Sequence, residues 1–292
     1  MKPVIYLWES LRPKQWTKNF FIFAGILFSQ NIFHSSLLVR VILAFLIFCL
    51  LSGSIYILND ITDLERDRRH RLKSQRPLAS GKLKVSQAII ALIILSSLSL
   101  TTSWFLNLPF FLTALAYFLL QVAYSFLLQH IVILDVFAIT LGFVLRVVAG
   151  AVVINVEISS WLIICTILLS LFLGLSKRRH ELVMLNEEAK NHRKVLEKYS
   201  PYLLDQMISV VTASTVVCYA LYTMSWETVQ KFGTKNLIFT IPFVLYGIFR
   251  YLYLIHKKEE GGNPENILVQ DIPLMIDILL WVITAGLILY SR

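Results

Sequence analysis

The chain has 292 residues, 57% of them apolar and only 15% charged, with a mean hydropathy of +0.70. A soluble domain runs nearer half apolar and a quarter charged, so this composition excludes an ordinary soluble fold. The apolar excess is gathered into long runs, each near the roughly 20 residues that cross a bilayer, and it points to a polytopic membrane protein.

The first run, about 16–34, follows a polar, tryptophan-containing segment and lacks a small-residue cleavage site, so no signal peptide is expected. Further runs fall at about 38–58, 84–106, 109–128, 131–155, 159–177, 206–229, 236–256 and 271–290. Tight connections at Asn107-Leu108-Pro109 and near Gln129-His130 imply helical hairpins. Spans joined this way predict an all-α fold: nine transmembrane helices in one bundle and one domain, 1–292, with a central polar cavity facing the cytoplasm.

The net charge of +9 is unevenly placed. One set of segments holds Lys2, Arg12, Lys14, Lys18, the Arg66–Lys84 and Lys177–Lys198 clusters, and Arg250, Lys257 and Lys258. The opposite set holds only Arg40, Lys231, Lys235 and Arg292. Basic loops stay on the cytoplasmic side. The asymmetry therefore predicts an integral protein of the cytoplasmic (inner) membrane, N-terminus inside and C-terminus outside. It also draws the inner face toward anionic headgroups or anionic substrates.

Cys49, Cys165 and Cys218 lie inside apolar runs at spacings that match no metal or disulfide pattern, and read as small buried hydrophobes. Trp8, Trp16, Trp104 and Trp161 lie near span ends, where tryptophan favours the interface. His34, His180 and His192 show no ligand spacing, and nothing suggests covalent catalysis.

Charge concentrates in "YILNDITDLERDRRHRLKSQRP", Tyr56 to Pro77. Asn59, Asp60, Asp63 and Asp67 form N-D-x-x-D-x-x-x-D, spacings that stack side chains on one helix face. Three carboxylates this close repel each other, and either the neighbouring arginines or a bound cation must offset that. Magnesium suits such a site, because it takes one or two carboxylates and keeps its other positions for water and substrate phosphates. Arg68, Arg69, Lys73 and Arg76 follow directly. Carboxylates for metal beside cations for phosphate describe a diphosphate site.

The aspartate motif, followed by R-P-L-A-S-G (Arg76–Gly81), resembles the UbiA superfamily of intramembrane prenyltransferases. "LRPKQWTKN" (Leu11–Asn19), "GFVLRVVAGA" (Gly142–Ala151), "SKRRHEL" (Ser176–Leu182), "RKVLEKYS" (Arg193–Ser200) and "NPENILVQDIPL" (Asn263–Leu274) resemble its branch that includes decaprenyl-phosphate phosphoribosyltransferase. The resemblance implies a Mg2+-dependent glycosyltransferase that moves 5-phosphoribosyl from phosphoribosyl diphosphate to a polyprenyl phosphate. Asp60, Asp63 and Asp67, with Asn59, would hold the metal on the departing diphosphate.

The aromatic prenyltransferases of the superfamily carry a second aspartate-rich motif after the sixth span. Here the expected Lys177–Pro201 loop offers Lys177, Arg178, Arg179, Glu181, Glu187 and Glu188 and no D-x-x-x-D. A basic loop suits substrates with extra phosphates, since arginine binds phosphate through paired hydrogen bonds. Arg68, Lys73, Arg76, Lys177 and Arg178 are the phosphate candidates, and Lys14 and Lys18 would close the cavity. Arg146 lies mid-span, where an unpaired charge costs a few kcal/mol, and is expected to meet a phosphate or else a carboxylate such as Asp277 or Glu227. Asp135, about three helical turns earlier, shares its face; Tyr124 and Glu181 complete the expected substrate-binding set. The resemblance also leads us to expect a lysine within five residues of Tyr124, where this chain has Gln129 or His130.

The alternative within the family is an aromatic prenyltransferase using a polyprenyl diphosphate. An anion transporter is a third reading, but its inverted repeats are not visible. The expected partners are the bilayer and the two substrates, not nucleic acid, and a homo-oligomer is compatible with this architecture.

Overall fold

A computed structural model of the chain describes residues 2–69, 73–185, 195–257 and 270–290. These residues are almost wholly helical and divide into two compact units, 1–158 and 159–292. Eight of the described helical segments are long and apolar enough to cross a membrane.

In the first unit, α1 (Lys2–Ser10) leads into a 3-10 stretch, Pro13–Phe23, and a short α2 (Ala24–Phe28). Then come α3 (Ser35–Thr62), α4 (Leu64–Arg69), α5 (Val85–Leu106), α6 (Leu108–Phe126) and α7 (Leu134–Val152). The segment expected as a first span, 16–34, is therefore a 3-10 stretch and a five-residue helix. Close packing on α7 accounts for this. A methyl group at Gly150 would overlap the Ile22 carbonyl oxygen, and one at Gly25 would come within 2.9 Å of the Ala151 backbone. Small residues let backbones approach this closely. Ile22 and Ile26 are thereby buried with Phe48, Leu51, Phe110, Tyr117 and Ala149 in the unit's main core.

Asn107 builds the tight hairpin between α5 and α6. Its Oδ1 accepts from the Phe110 N–H (2.8 Å), capping α6. Its Nδ2 donates to the Val152 carbonyl (3.0 Å), which satisfies a terminal acceptor of α7.

The second unit contains α8 (Ser160–Leu185), α9 (Pro201–Met224), α10 (Trp226–Phe232), α11 (Ile241–Lys257) and α12 (Ile272–Tyr290). Helix α8 runs past the expected end of its span at 177, so Lys177, Arg178, Arg179 and Glu181 lie on helix rather than loop. The extension is laced by ion pairs. Arg178 reaches Glu181 one turn on (2.7 Å), and Arg179 crosses to Asp205 on α9 (2.5 Å). Asp271 caps α12 through the Leu274 N–H (3.0 Å) and takes a forked pair of bonds from Arg250 of α11, at 3.0 and 2.8 Å.

Candidate active site

The C-terminal end of α3 and the short α4 carry the aspartate motif. Helix α3 stops at Thr62; Asp63 is its C-cap, with its N–H on the Asn59 carbonyl. The turn of α4 follows directly, the Asp67 N–H reaching the Asp63 carbonyl at 2.8 Å. The near-continuous path keeps Asp60 and Asp67 on one side. Both are sealed, at 4% and 1% exposure, whereas Asp63 is partly exposed and pairs with Arg66 (3.3 Å).

Buried carboxylates need positive charge or hydrogen bonds, and two arginines supply it, one from the loop that follows and one from the N-terminal segment. Arg76 donates to Asp60 Oδ1 (3.1 Å) and also to Asp67 Oδ2 through the same terminal nitrogen, bridging the pair. Arg12 donates to Asp60 Oδ1 from the N-terminal segment and lies over the Tyr56 ring, 5.1 Å from its centroid. Asn59 points the other way, its Oδ1 2.5 Å from Ser125 Oγ on α6. The carboxamide of Gln129, in the position where lysine was expected, donates to the Ser125 carbonyl.

Asp67 Oδ1 is buried and has no hydrogen-bond partner. A sealed carboxylate pair with one unsatisfied oxygen is a donor set that fits a hard divalent cation. Among the described residues no three acidic, histidine or cysteine side chains are gathered to hold an ion by themselves. Of the expected set Asn59, Asp60, Asp63 and Asp67, only Asp60 and Asp67 are brought together, since Asp63 pairs with Arg66 and Asn59 with Ser125. Magnesium takes one or two carboxylates and leaves its other positions to water and phosphate.

Arg146 occupies a separate network in the middle of α7. It is 4% exposed, and all its hydrogen-bond partners are uncharged. Nε donates to Asn19 Oδ1 (2.8 Å), and the terminal nitrogens donate to the Gly142 carbonyl (2.9 Å) and Tyr117 Oη (2.8 Å). Asn19 in turn donates to Ser52 Oγ at 3.2 Å. The guanidinium thus ties the 3-10 stretch to α3, α6 and α7.

Of the other predicted residues in this unit, Lys14 and Arg68 are exposed; Lys18, Lys73 and Tyr124 are half-buried. Asp135 is fully buried in the first turn of α7. Lys177, Arg178 and Glu181 belong to the second unit, where Arg178 is almost fully buried against Glu181. Glu187 and Glu188, and most of Asn263–Leu274, lie outside the described residues. Sequence reasoning missed Arg12, which it counted only as a topology charge, and Ser125. Neither carries a local signal: Arg12 meets Asp60 across 48 positions, and Ser125 meets Asn59 across 66.

Fold and site together define an all-helical integral membrane protein with an acidic, arginine-held cluster at the end of a long apolar helix. The chain belongs to the UbiA prenyltransferase family, whose profile matches residues 19–267. It is 32% identical to the decaprenyl-phosphate phosphoribosyltransferase of Mycolicibacterium smegmatis, over 97% of this chain and 92% of that one. It is 31% identical to the enzyme of the same name from Corynebacterium glutamicum, over 97% and 86% of the two chains. In fold it is similar to a UbiA homolog from Archaeoglobus fulgidus bound to GPP and Mg2+. The TM-score is 0.75 and the identity 22%, with 98% of this chain and 100% of that chain covered.

Proposed function

We propose that this enzyme transfers 5-phosphoribosyl from phosphoribosyl diphosphate to a polyprenyl phosphate of the decaprenyl type and releases diphosphate. The observation that carries the reading is the cluster of Asp60, Asp67, Arg12 and Arg76, which sets carboxylates for a cation beside guanidinium groups for phosphate. Nearly full-length similarity to decaprenyl-phosphate phosphoribosyltransferases supports the choice of substrates.

Asp60 and Asp67 would hold magnesium; Asp63 and Asn59, now on Arg66 and Ser125, would join only on leaving those partners. Bound there, the metal supplies charge that stabilises the diphosphate leaving group. Arg76 already spans two acids and is placed to keep the diphosphate aligned; Arg68, Lys73, Lys14 and Lys18 supply further cations around it. Lys177 and Arg178 are proposed for further phosphate contacts, and Tyr124, Asp135 and Glu181 for other contacts with substrate. Arg146 holds the N-terminal segment through Asn19 and so acts on substrate by position.

One oxygen of the lipid phosphate attacks the anomeric carbon as the carbon–oxygen bond to diphosphate breaks, and the bonding pair leaves with diphosphate. A phosphate monoester is largely dianionic at neutral pH, with a second pKa of about 6. The acceptor therefore needs alignment rather than a general base. Attack opposite the leaving group inverts the anomeric centre. The prenyl tail lies along apolar helix surfaces, which is why such a transferase belongs in the bilayer. The gathering of basic residues in one set of segments supports a site that faces the cytoplasm.

Lipid mass spectrometry on membranes containing the wild type, Asp60→Asn and Asp67→Asn tests the proposal. The wild type should convert decaprenyl phosphate to a species heavier by one phosphoribosyl unit, with each variant reduced by at least about a hundredfold. Near-normal product from either variant would remove the site assignment.

A further inference from the structure

The side chain that meets Asp60 from the N-terminal segment carries an inference that rests on the metal-site reading above and goes beyond it. Arg12 lies between the end of α1 and the start of the 3-10 stretch, with φ 51 and ψ 64. A non-glycine residue is held in this left-handed region at an energetic cost, and such residues gather where the surroundings need them. Here the turn aims the guanidinium at Asp60 Oδ1 and lays it over Tyr56.

Arg76 reaches the same Oδ1 and also Asp67. Two guanidinium groups therefore face two sealed carboxylates, so the cluster is already charge-balanced without a metal. A divalent cation entering it leaves an excess of positive charge unless one arginine gives way. Arg76 is anchored on both acids, whereas Arg12 holds only Asp60 and comes from a segment outside the long helices.

We propose that Arg12 is a built-in competitor for the cation at Asp60. It neutralises the carboxylate when no metal is bound and yields the oxygen when one binds. The freed guanidinium then faces the anion that accompanies the metal. Metal and diphosphate thereby favour each other's binding, because each is better accommodated once Arg12 has moved, and such coupling is reciprocal.

The test uses the full-length protein in detergent. Its melting temperature is followed by tryptophan fluorescence across a series of free Mg2+ concentrations, with and without inorganic pyrophosphate. Arg12→Gly removes the guanidinium while glycine adopts the positive φ freely; Arg12→Gln is the second variant and Arg12→Lys the charge-retaining one. Without pyrophosphate, the Mg2+ midpoint should fall about tenfold in R12G and R12Q, with R12K between them and wild type. Pyrophosphate should lower the wild-type midpoint about tenfold and those of R12G and R12Q by much less.

Midpoints in R12G and R12Q that are unchanged or higher would overturn the competition. Asp67→Asn shows that the shift reports this site by abolishing it. A wild type with no D67N-sensitive shift would overturn the metal assignment itself, and this inference with it. A D67N-sensitive shift that ignores Arg12 would overturn the inference alone.

Discussion

Replacing Arg76 by glutamine should destabilise the protein through one residue, Asp67. Asp60 keeps Arg12 as a partner, but Asp67 is 1% exposed, its Oδ2 is held by Arg76, and its Oδ1 has no hydrogen bond. Removing one partner of a buried ion pair costs about 3–5 kcal/mol, because the other charge is left uncompensated. Arg76 is itself 27% exposed, so water can reach part of the gap and the lower end, about 3 kcal/mol, is expected. At about 2–4 °C per kcal/mol for a chain of this size class, the melting temperature should fall by roughly 6–12 °C. Neutralising the orphaned acid should undo much of this, so Asp67→Asn combined with Arg76→Gln should recover about half the loss or more. The assay is thermal unfolding of the purified protein, wild type, two single variants and the double. A loss under about 2 °C in R76Q, or a double variant no more stable than R76Q, would refute the account of the cluster.

Other outcomes follow from the same geometry. Gly150→Ala drives a methyl group into the Ile22 carbonyl and should lower the melting temperature and yield of folded protein, whereas Gly286→Ala, with open space around it, should do neither. Asn107→Ala removes the α6 cap and the donor to the α7 carbonyls and should cost about 1–2 kcal/mol in the same unfolding assay. Arg146→Met leaves the Asn19 and Tyr117 oxygens without their donor and should loosen the N-terminal segment, read as faster proteolysis between 13 and 28. Arg146→Lys should restore part of that protection.

The long apolar runs were legible because a span leaves its signal in every residue it contains. Most of the long helices from 35 onward begin and end within about five residues of the expected positions; α8 runs on past its expected end, and α9 lies five residues earlier than expected, with α10 taking up the rest of that span. The first expected span was misjudged in form because its conformation depends on Gly25, Gly150 and Ala151, close approaches between segments more than a hundred residues apart. Helix α8 outran its apolar stretch because Arg178–Glu181 and Arg179–Asp205 support polar turns that hydropathy alone would end. The aspartate motif was readable because helical spacing is local. What neutralises it was only half readable: Arg76 lies nearby in sequence, but Arg12 reads as one more basic residue ahead of a span. The partners of Arg146 were hidden for the same reason, since Asn19 is 127 positions away and carries no charge to suggest a pair.

In the proposed reaction the bond broken lies between ribose and diphosphate, with the lipid phosphate as acceptor. Purified protein with magnesium would be given decaprenyl phosphate and phosphoribosyl diphosphate or, separately, a polyprenyl diphosphate and 4-hydroxybenzoate, and the lipids weighed by mass spectrometry. The expected result is a lipid heavier by one phosphoribosyl unit in the first reaction, lost on chelation, and no product in the second. A prenylated aromatic product, with decaprenyl phosphate left unchanged, would contradict it.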